Sequence, residues 1–329
     1  METYKSFNLD LSTVNEQNFD DIALQLFHFQ AENNPVYKEY IRCLRLEPHS
    51  VNSLTRIPFL PISFFKNHIV KSGAWVPEVS FASSGTTGHQ TSNHPVRSLE
   101  FYRAHAARCF EYFFGQIQNY HFLALLPAYL ERRDSSLVAM MDFFTKKSNS
   151  PVSGLYLHNT SQLLEDLQKL KNSEKKTILW GVTFALLDLA ERYRPDLSHC
   201  LVFETGGMKG RREEITRPQL HAVLSEAFQV NEIFSEYGMT ELFSQAYSKG
   251  KMAFFCPPWL KILARDITDP MQKGLLNETG GINVVDFGNL DTIAFIETED
   301  LGKVASDGSF EILGRMDNSD VRGCNLMVE

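Results

Sequence analysis

Residues 161–171, Ser161-Gln162-Leu163-Leu164-Glu165-Asp166-Leu167-Gln168-Lys169-Leu170-Lys171, decide the fold class. Leu163, Leu164, Leu167 and Leu170 recur on one face with a period of about 3.6 rather than 2, which makes the stretch an amphipathic helix. Short apolar runs flank it at 154–157 and 177–180, and the pattern continues outward. Further runs at 121–126, 201–205 and 232–235 are separated by helix-period segments near 135–146, 183–193 and 211–228. This alternation predicts an α/β fold with a mostly parallel sheet flanked by helices on both faces.

The pattern changes past residue 248. Gly, Pro and Asp separate β-prone runs at 252–255, 259–263, 282–285, 292–296 and 310–313, as in a smaller antiparallel β subdomain. At the other end, residues 16–43 are helix-forming with a break at Asn33-Asn34-Pro35. The two prolines of Ile57-Pro58-Phe59-Leu60-Pro61 disfavour a continuous helix there. Ser98 is placed as the N-cap of a helix through Tyr102, Cys109 and Phe113, with Gly115 at its end. The predicted organisation is a helical lead over 1–75, an α/β nucleotide-binding core over 76–248 and an antiparallel subdomain with a C-terminal acceptor tail over 249–329.

Four stretches carry chemistry. Ser83-Ser84-Gly85-Thr86-Thr87-Gly88 offers four hydroxyls and freely oriented backbone N–H groups, as a phosphate-wrapping loop requires; it also fits a solvated turn. Glu204-Thr205-Gly206-Gly207 ends an apolar run, where paired glycines let a flat group lie on the backbone; an ordinary β-to-α turn fits as well. Ser235-Glu236-Tyr237-Gly238-Met239-Thr240-Glu241 places an aromatic face, a hydroxyl and two carboxylates together. Tyr237 can stack on a base, Thr240 can bond a phosphate oxygen, and Glu241 can hold Mg²⁺. The last stretch, Glu297 to Lys303, is an acidic turn in which Asp300 can accept from ribose hydroxyls, although a solvated hairpin turn also fits. His89 and His94 stand nearest the first loop and are assigned to the surface.

The totals narrow the function classes. A net charge of −8 and the absence of a basic cluster argue against nucleic acid as a partner. The longest apolar run, Ile178 to Ala190, contains Asp188 and is too short to span a bilayer, so a soluble cytoplasmic protein is expected. The five cysteines, at 43, 109, 200, 256 and 324, are too dispersed for zinc-ligand spacing and fit reduced thiols. The sequence contains no Walker A lysine, no His-Glu-x-x-His and no Gly-x-Ser-x-Gly elbow.

Taken in order, Ser83 to Gly88, Gly206-Gly207, Tyr237 to Glu241, Glu299-Asp300-Leu301-Gly302 and Gly314-Arg315-Met316-Asp317 look like the motifs of the adenylate-forming superfamily. That superfamily includes acyl-CoA synthetases, peptide-synthetase adenylation domains and firefly-type luciferases. The segment Pro58 to Lys66 and the ending Gly314 to Leu326 more specifically resemble LuxE-type acyl-protein synthetases.

The resemblance implies ATP and Mg²⁺ as cofactors and a fatty or other apolar carboxylic acid as substrate. It implies that Ser83, Ser84, Gly85, Thr86, Thr87 and Gly88 hold the ATP phosphates and that Gly206, Gly207 and Tyr237 enclose adenine, with Glu236 and Gly238 also binding the nucleotide. Thr240 would contact the α-phosphate, Glu241 the metal, and Asp300 with Arg315 the ribose. Superfamily members usually continue past the Gly-Arg-x-Asp motif into a mobile domain bearing a lysine, whereas this chain stops at Glu329. The expectation is therefore that the mobile C-terminal domain is absent and that Cys324, near Arg322, takes the acyl group as a thioester. It would then pass that group to a protein acceptor such as an acyl reductase or acyl carrier protein. His89, Lys209 and Arg97 are candidates to replace the missing lysine. A CoA or carrier-protein ligase that does not use Cys324, and a non-catalytic nucleotide-binding subunit, are the alternatives.

Overall fold

The computed structural model describes residues 7–83, 91–127, 134–207 and 215–316. The lead consists of α1 (Phe19–Asn33) and α2 (Pro35–Cys43). They separate at Asn34, whose side chain accepts from the Tyr37 amide while Pro35 occupies the first turn, so the expected break falls where the caps require it. After the short strand β1 (Leu60–Pro61) and helix α3 (Phe64–Asn67), β2 (Val79–Ala82) and β3 (Asn93–Val96) form a separate two-stranded sheet. Helix α4 (Leu99–Phe114) begins at Ser98, whose hydroxyl accepts from the Phe101 amide, and ends at Gly115 with φ of 81°.

The predicted alternation then follows: β4 (Tyr120–Leu125), α5 (Ser136–Lys147), β5 (Gly154–Tyr156), α6 (Thr160–Lys169), β6 (Lys176–Val182), α7 (Thr183–Tyr193), β7 (Cys200–Thr205), α8 (Arg217–Phe228) and β8 (Ile233–Tyr237). The remaining strands are β9 (Ala246–Ser248), β10 (Phe254–Phe255), β11 (Leu260–Arg265), β12 (Lys273–Leu275), β13 (Thr279–Asp286), β14 (Phe295–Val304) and β15 (Phe310–Arg315).

Thirteen strands make one sheet in the order β12-β11-β13-β14-β15-β10-β9-β8-β7-β6-β4-β5, with β1 alongside β14. The ladders joining β5, β4, β6, β7 and β8 are parallel. All six residues of β4, and all of β6 after Lys176, are buried, as in strands covered on both faces. Trp180, Phe203 and Phe234 on three adjacent strands form a stack, with ring centroids 4.7 and 5.0 Å apart.

The antiparallel strands continue this sheet through β9, β10 and β15. One expectation is corrected here. Glu297 to Lys303, read as an acidic turn, lies within the ten-residue strand β14. Backbone pairing to β13 on one side and to β15 on the other outweighs the local turn character of its Asp, Glu and Gly. The lead packs on this half of the molecule, where the Gln30 amide donates to the Asn289 carbonyl and the Asn34 amide to the Thr292 carbonyl, each at 3.1 Å.

Candidate functional site

Strands β6, β7 and β8 deliver their carboxyl ends to one edge, with Val182 opposite Thr205 and Thr205 opposite Glu236. Ligands of open parallel sheets bind at such an edge. Just beyond it, the Thr183 hydroxyl donates to the Gly206 carbonyl, and Gly206 has a φ of 64°, a left-handed angle that glycine adopts without strain. Gly206 and Gly207 are exposed there. The Thr205 hydroxyl donates to the buried Glu236 carboxylate, which also lies so close to Gly238 that a Cβ at that position would collide with it.

Tyr237, Asp300 and Arg315, distant in sequence, form one cluster. Asp300 and Arg315 are direct partners across β14 and β15. The Tyr237 hydroxyl donates to Asp300 Oδ2 at 2.8 Å, and Arg315 Nε donates to Oδ1 at 3.4 Å. Burial, reinforced by the Asp300 charge, pushes the Tyr237 phenol well above its ordinary pKa, so it remains a neutral donor. The Arg315 side chain is 71% exposed, and its ion pair contributes little beside the buried phenol bond. The Tyr237 ring stands edge-on to Phe310 at 5.3 Å, which sets the plane from which its hydroxyl points.

The turn after β8 is held at successive peptides. The Thr240 carbonyl accepts from His94 Nδ1 at 2.8 Å and the Glu241 carbonyl from Asn289 Nδ2 at 2.8 Å. The Phe243 and Ser244 amides both donate to Asp286 Oδ2 at 2.9 Å. Asp286 Oδ1 accepts from the Ser244 hydroxyl at 2.5 Å and the Gly288 amide at 2.7 Å. Burial raises the Asp286 carboxyl above its usual range even though all four donors favour the charged form.

Glu241 is 5% exposed; burial raises its carboxyl too, partly offset by a hydrogen bond from Ser92. No group of three or more His, Cys, Asp or Glu able to hold a metal is found among the described residues. Mg²⁺ is commonly bound through one or two carboxylates together with phosphate and water oxygens, and Glu241 offers one carboxylate for such a set.

The surface assignment of His94 is corrected by its position. It is 0% exposed, with Phe65 at 5.3 Å and Phe243 at 4.7 Å from its ring centre. A carbonyl can only accept, so Nδ1 carries the proton, and Nε2 accepts from the Thr292 hydroxyl at 3.0 Å. Burial lowers its pKa to about 4. His105 is also buried, its pKa lowered to about 3 by burial, and its Nε2 donates at 2.7 Å to Ser244, whose own proton goes to Asp286.

Both rings are neutral in the folded chain, whereas a free imidazole titrates near pH 6.5. As pH falls from about 6.5 toward about 4, the unfolded chain binds protons that the folded chain refuses, and stability falls. Each histidine is expected to remove roughly 1.4 kcal/mol per pH unit in that window. The raised carboxyls of Glu241 and Asp286 act in the opposite sense, so the histidine contribution is read from a difference between chains. Urea denaturation at pH 7, 6 and 5 checks this. His105→Gln is expected to flatten the slope measurably, and an unchanged slope would exclude the assignment.

The structure thus brings together Glu236, Tyr237, Gly238, Thr240, Glu241, Asp300 and Arg315, with Gly206 and Gly207 beside them. Ser83 closes the β2–β3 hairpin, its hydroxyl accepting from the Ser92 amide at 2.9 Å. Ser84 to Gly88, His89, Lys209 and Cys324 lie outside the described residues. Arg97 donates to Asp291 at 3.0 Å. Thr183, Ser92, Asn289 and Asp286 were not anticipated. The only local sign was a Thr directly following the apolar run of β6, since the other three act on partners far along the chain.

No protein-family model and no curated protein matches this chain. Solved structures do. The 2-hydroxyisobutyryl-CoA ligase in complex with 2-HIB-AMP and CoA aligns with a TM-score of 0.69 at 14% identity, over 96% of this chain and 74% of the ligase. ATP-bound MatB from Rhodopseudomonas palustris aligns with a TM-score of 0.55 at 16% identity, over 74% of this chain and 49% of MatB. A malonyl-CoA ligase bound to methylmalonyl-CoA and AMP aligns with a TM-score of 0.51 at 17% identity, over 73% and 53% of the two chains. This chain therefore spans about half the length of MatB. No helix among the described residues is long and apolar enough to cross a membrane. The α/β architecture is the fold that this chain shares with these solved structures.

Proposed function

We propose that this chain activates an apolar carboxylic acid, such as a fatty acid, with ATP to form an acyl-adenylate, and then transfers the acyl group to Cys324 for delivery to a protein acceptor. The observation that carries the first half is the convergence of Tyr237, Asp300 and Arg315 beside the Thr240–Glu241 turn. It occurs in a fold shared with ligases whose structures hold ATP, an acyl-AMP or AMP. The second half rests on the resemblance of the C-terminal segment to acyl-protein synthetases.

In the first step a carboxylate oxygen of the acid forms a bond to the α-phosphorus. The bond from that phosphorus to the bridging oxygen breaks, and pyrophosphate leaves. The Thr240 hydroxyl would donate to an α-phosphate oxygen, and the hydroxyls and amides of Ser83 to Gly88 would hold the ATP phosphates. Asp300 accepts from the ribose hydroxyls, Arg315 steadies that carboxylate, and Tyr237 with Glu236, Gly238, Gly206 and Gly207 lines the adenine. Glu241 would hold Mg²⁺, which supplies positive charge against the phosphate oxygens. In the second step the Cys324 thiolate forms a bond to the acyl carbonyl carbon and AMP departs.

Exchange of labelled pyrophosphate into ATP, measured across a panel of fatty acids, tests the first step. Acid-dependent exchange is expected, and its absence with every acid would overturn the reading. A labelled acid bound to the protein, released by hydroxylamine and lost in Cys324→Ser, tests the second. Label that persists in Cys324→Ser excludes the cysteine, and acyl-CoA formed instead of labelled protein identifies a CoA ligase.

A further inference from the structure

The candidate site is divided between two pieces of chain that are not joined by the main sheet. The turn of Thr240 and Glu241 extends from β8, whereas Ser83 and Ser92 belong to the separate β2–β3 hairpin. His94, on β3, bridges them. We infer that His94 is a positioning residue: by donating from Nδ1 to the Thr240 carbonyl it locks the peptide that joins Thr240 to Glu241, and so fixes both side chains relative to the hairpin. The inference rests on the adenylation reading for its catalytic consequence, while its structural content stands apart from it.

Three observations support it. First, a peptide unit is planar, so holding the Thr240 oxygen fixes the orientation of the bond to Glu241 as a whole. Second, the imidazole is held on all sides: Nδ1 at Thr240, Nε2 at the Thr292 hydroxyl at 3.0 Å, and its faces by Phe65 and Phe243. Thr292 is fixed in turn, its carbonyl accepting from Ser72 at 2.6 Å and Asn34 at 3.1 Å. Third, the hairpin that carries His94 is itself tied, the Ser92 amide donating to the Ser83 hydroxyl at 2.9 Å and the Ser83 amide to the Ser92 carbonyl at 3.0 Å. The hairpin therefore grips the turn by the backbone of Thr240.

A group that aligns the α-phosphate contact acts on the transition state more than on ATP binding, so its loss lowers kcat and leaves KM nearly unchanged. The two nitrogens can be tested separately. His94→Asn places an amide donor near Nδ1 and keeps the bond to Thr240, whereas His94→Gln places its amide near Nε2 and loses that bond. In pyrophosphate exchange, His94→Gln is expected to lose about tenfold to a hundredfold in kcat with KM for ATP within about threefold, and His94→Asn to recover most of the loss. Thr292→Val, which removes only the Nε2 partner, is expected to retain exchange.

Hydrogen exchange at the Leu242 amide, which closes the turn on the Met239 carbonyl at 3.1 Å, reads the same lock without activity. It is expected to speed up in His94→Gln and not in His94→Asn. Equal losses in the Asn and Gln variants, or no loss in either, would overturn the role. A wild-type chain without pyrophosphate exchange would remove the adenylation reading alone, and Leu242 exchange would still decide for or against the lock.

Discussion

Replacing Asp300 by asparagine is expected to raise the KM for ATP in pyrophosphate exchange by about a hundredfold. The two carboxylate oxygens are already directed, one by the Tyr237 phenol at 2.8 Å and the other by Arg315 at 3.4 Å. An amide keeps one acceptor and turns the other into a donor, so one ribose hydroxyl meets an N–H in place of an oxygen. A hydrogen bond to a charged group is worth about 1.5–3 kcal/mol, and each 1.4 kcal/mol is about tenfold in affinity. The fold should tolerate the change. The asparagine oxygen can still face Tyr237, and Arg315, 71% exposed, can turn to water. A melting temperature near that of wild type together with the raised KM is the expected pair of results. A KM within threefold of wild type would remove Asp300 from the nucleotide site.

Much of this arrangement was legible in the sequence because its causes are local. The apolar runs at 177–180 and 201–205 predict β6 and β7, and the Leu163-to-Leu170 period predicts α6. Ser98 and Gly115 bound α4 by cap chemistry that needs no tertiary partner. The contact of Tyr237 with Asp300 and of Asp300 with Arg315 has no such local cause; only the resemblance of their motifs implied one nucleotide for all three.

What was misread depends on distant partners. Asp and Gly at 300–302 carry turn character, and only the strands on either side make the segment extended. His94 was placed at the surface because nothing near it in sequence indicates Phe243 against its ring or Thr292 on its Nε2, a partner 198 residues away. The network of His105, Ser244 and Asp286 was missed for the same reason. Its members stand 139 and 42 residues apart, and Ser, His and Asp have no periodic signature.

That network is where a single substitution should cost the most stability. Asp286 is 0% exposed and accepts four hydrogen bonds, from the amides of Phe243, Ser244 and Gly288 and the hydroxyl of Ser244. Asparagine has the same shape but only one acceptor oxygen. Whichever way its amide turns, an NH₂ group faces either the two amides at Oδ2 or the amide and hydroxyl at Oδ1. Donors are then buried against donors with no water to relieve them, and the Ser244 hydroxyl that His105 supports loses its outlet. Each buried donor left unpaired in this way costs about 1–3 kcal/mol, so the two left facing the NH₂ group together remove a large part of the roughly 5–15 kcal/mol that holds a domain together. Urea denaturation of Asp286→Asn should show that loss. Because Phe243 and Ser244 directly follow the Glu241 turn, exchange at the Leu242 amide should accelerate under conditions where the chain remains folded. A loss under 1 kcal/mol would mean that the carboxylate is dispensable to the turn, and that Asn289, through its bond to the Glu241 carbonyl, holds the turn without it.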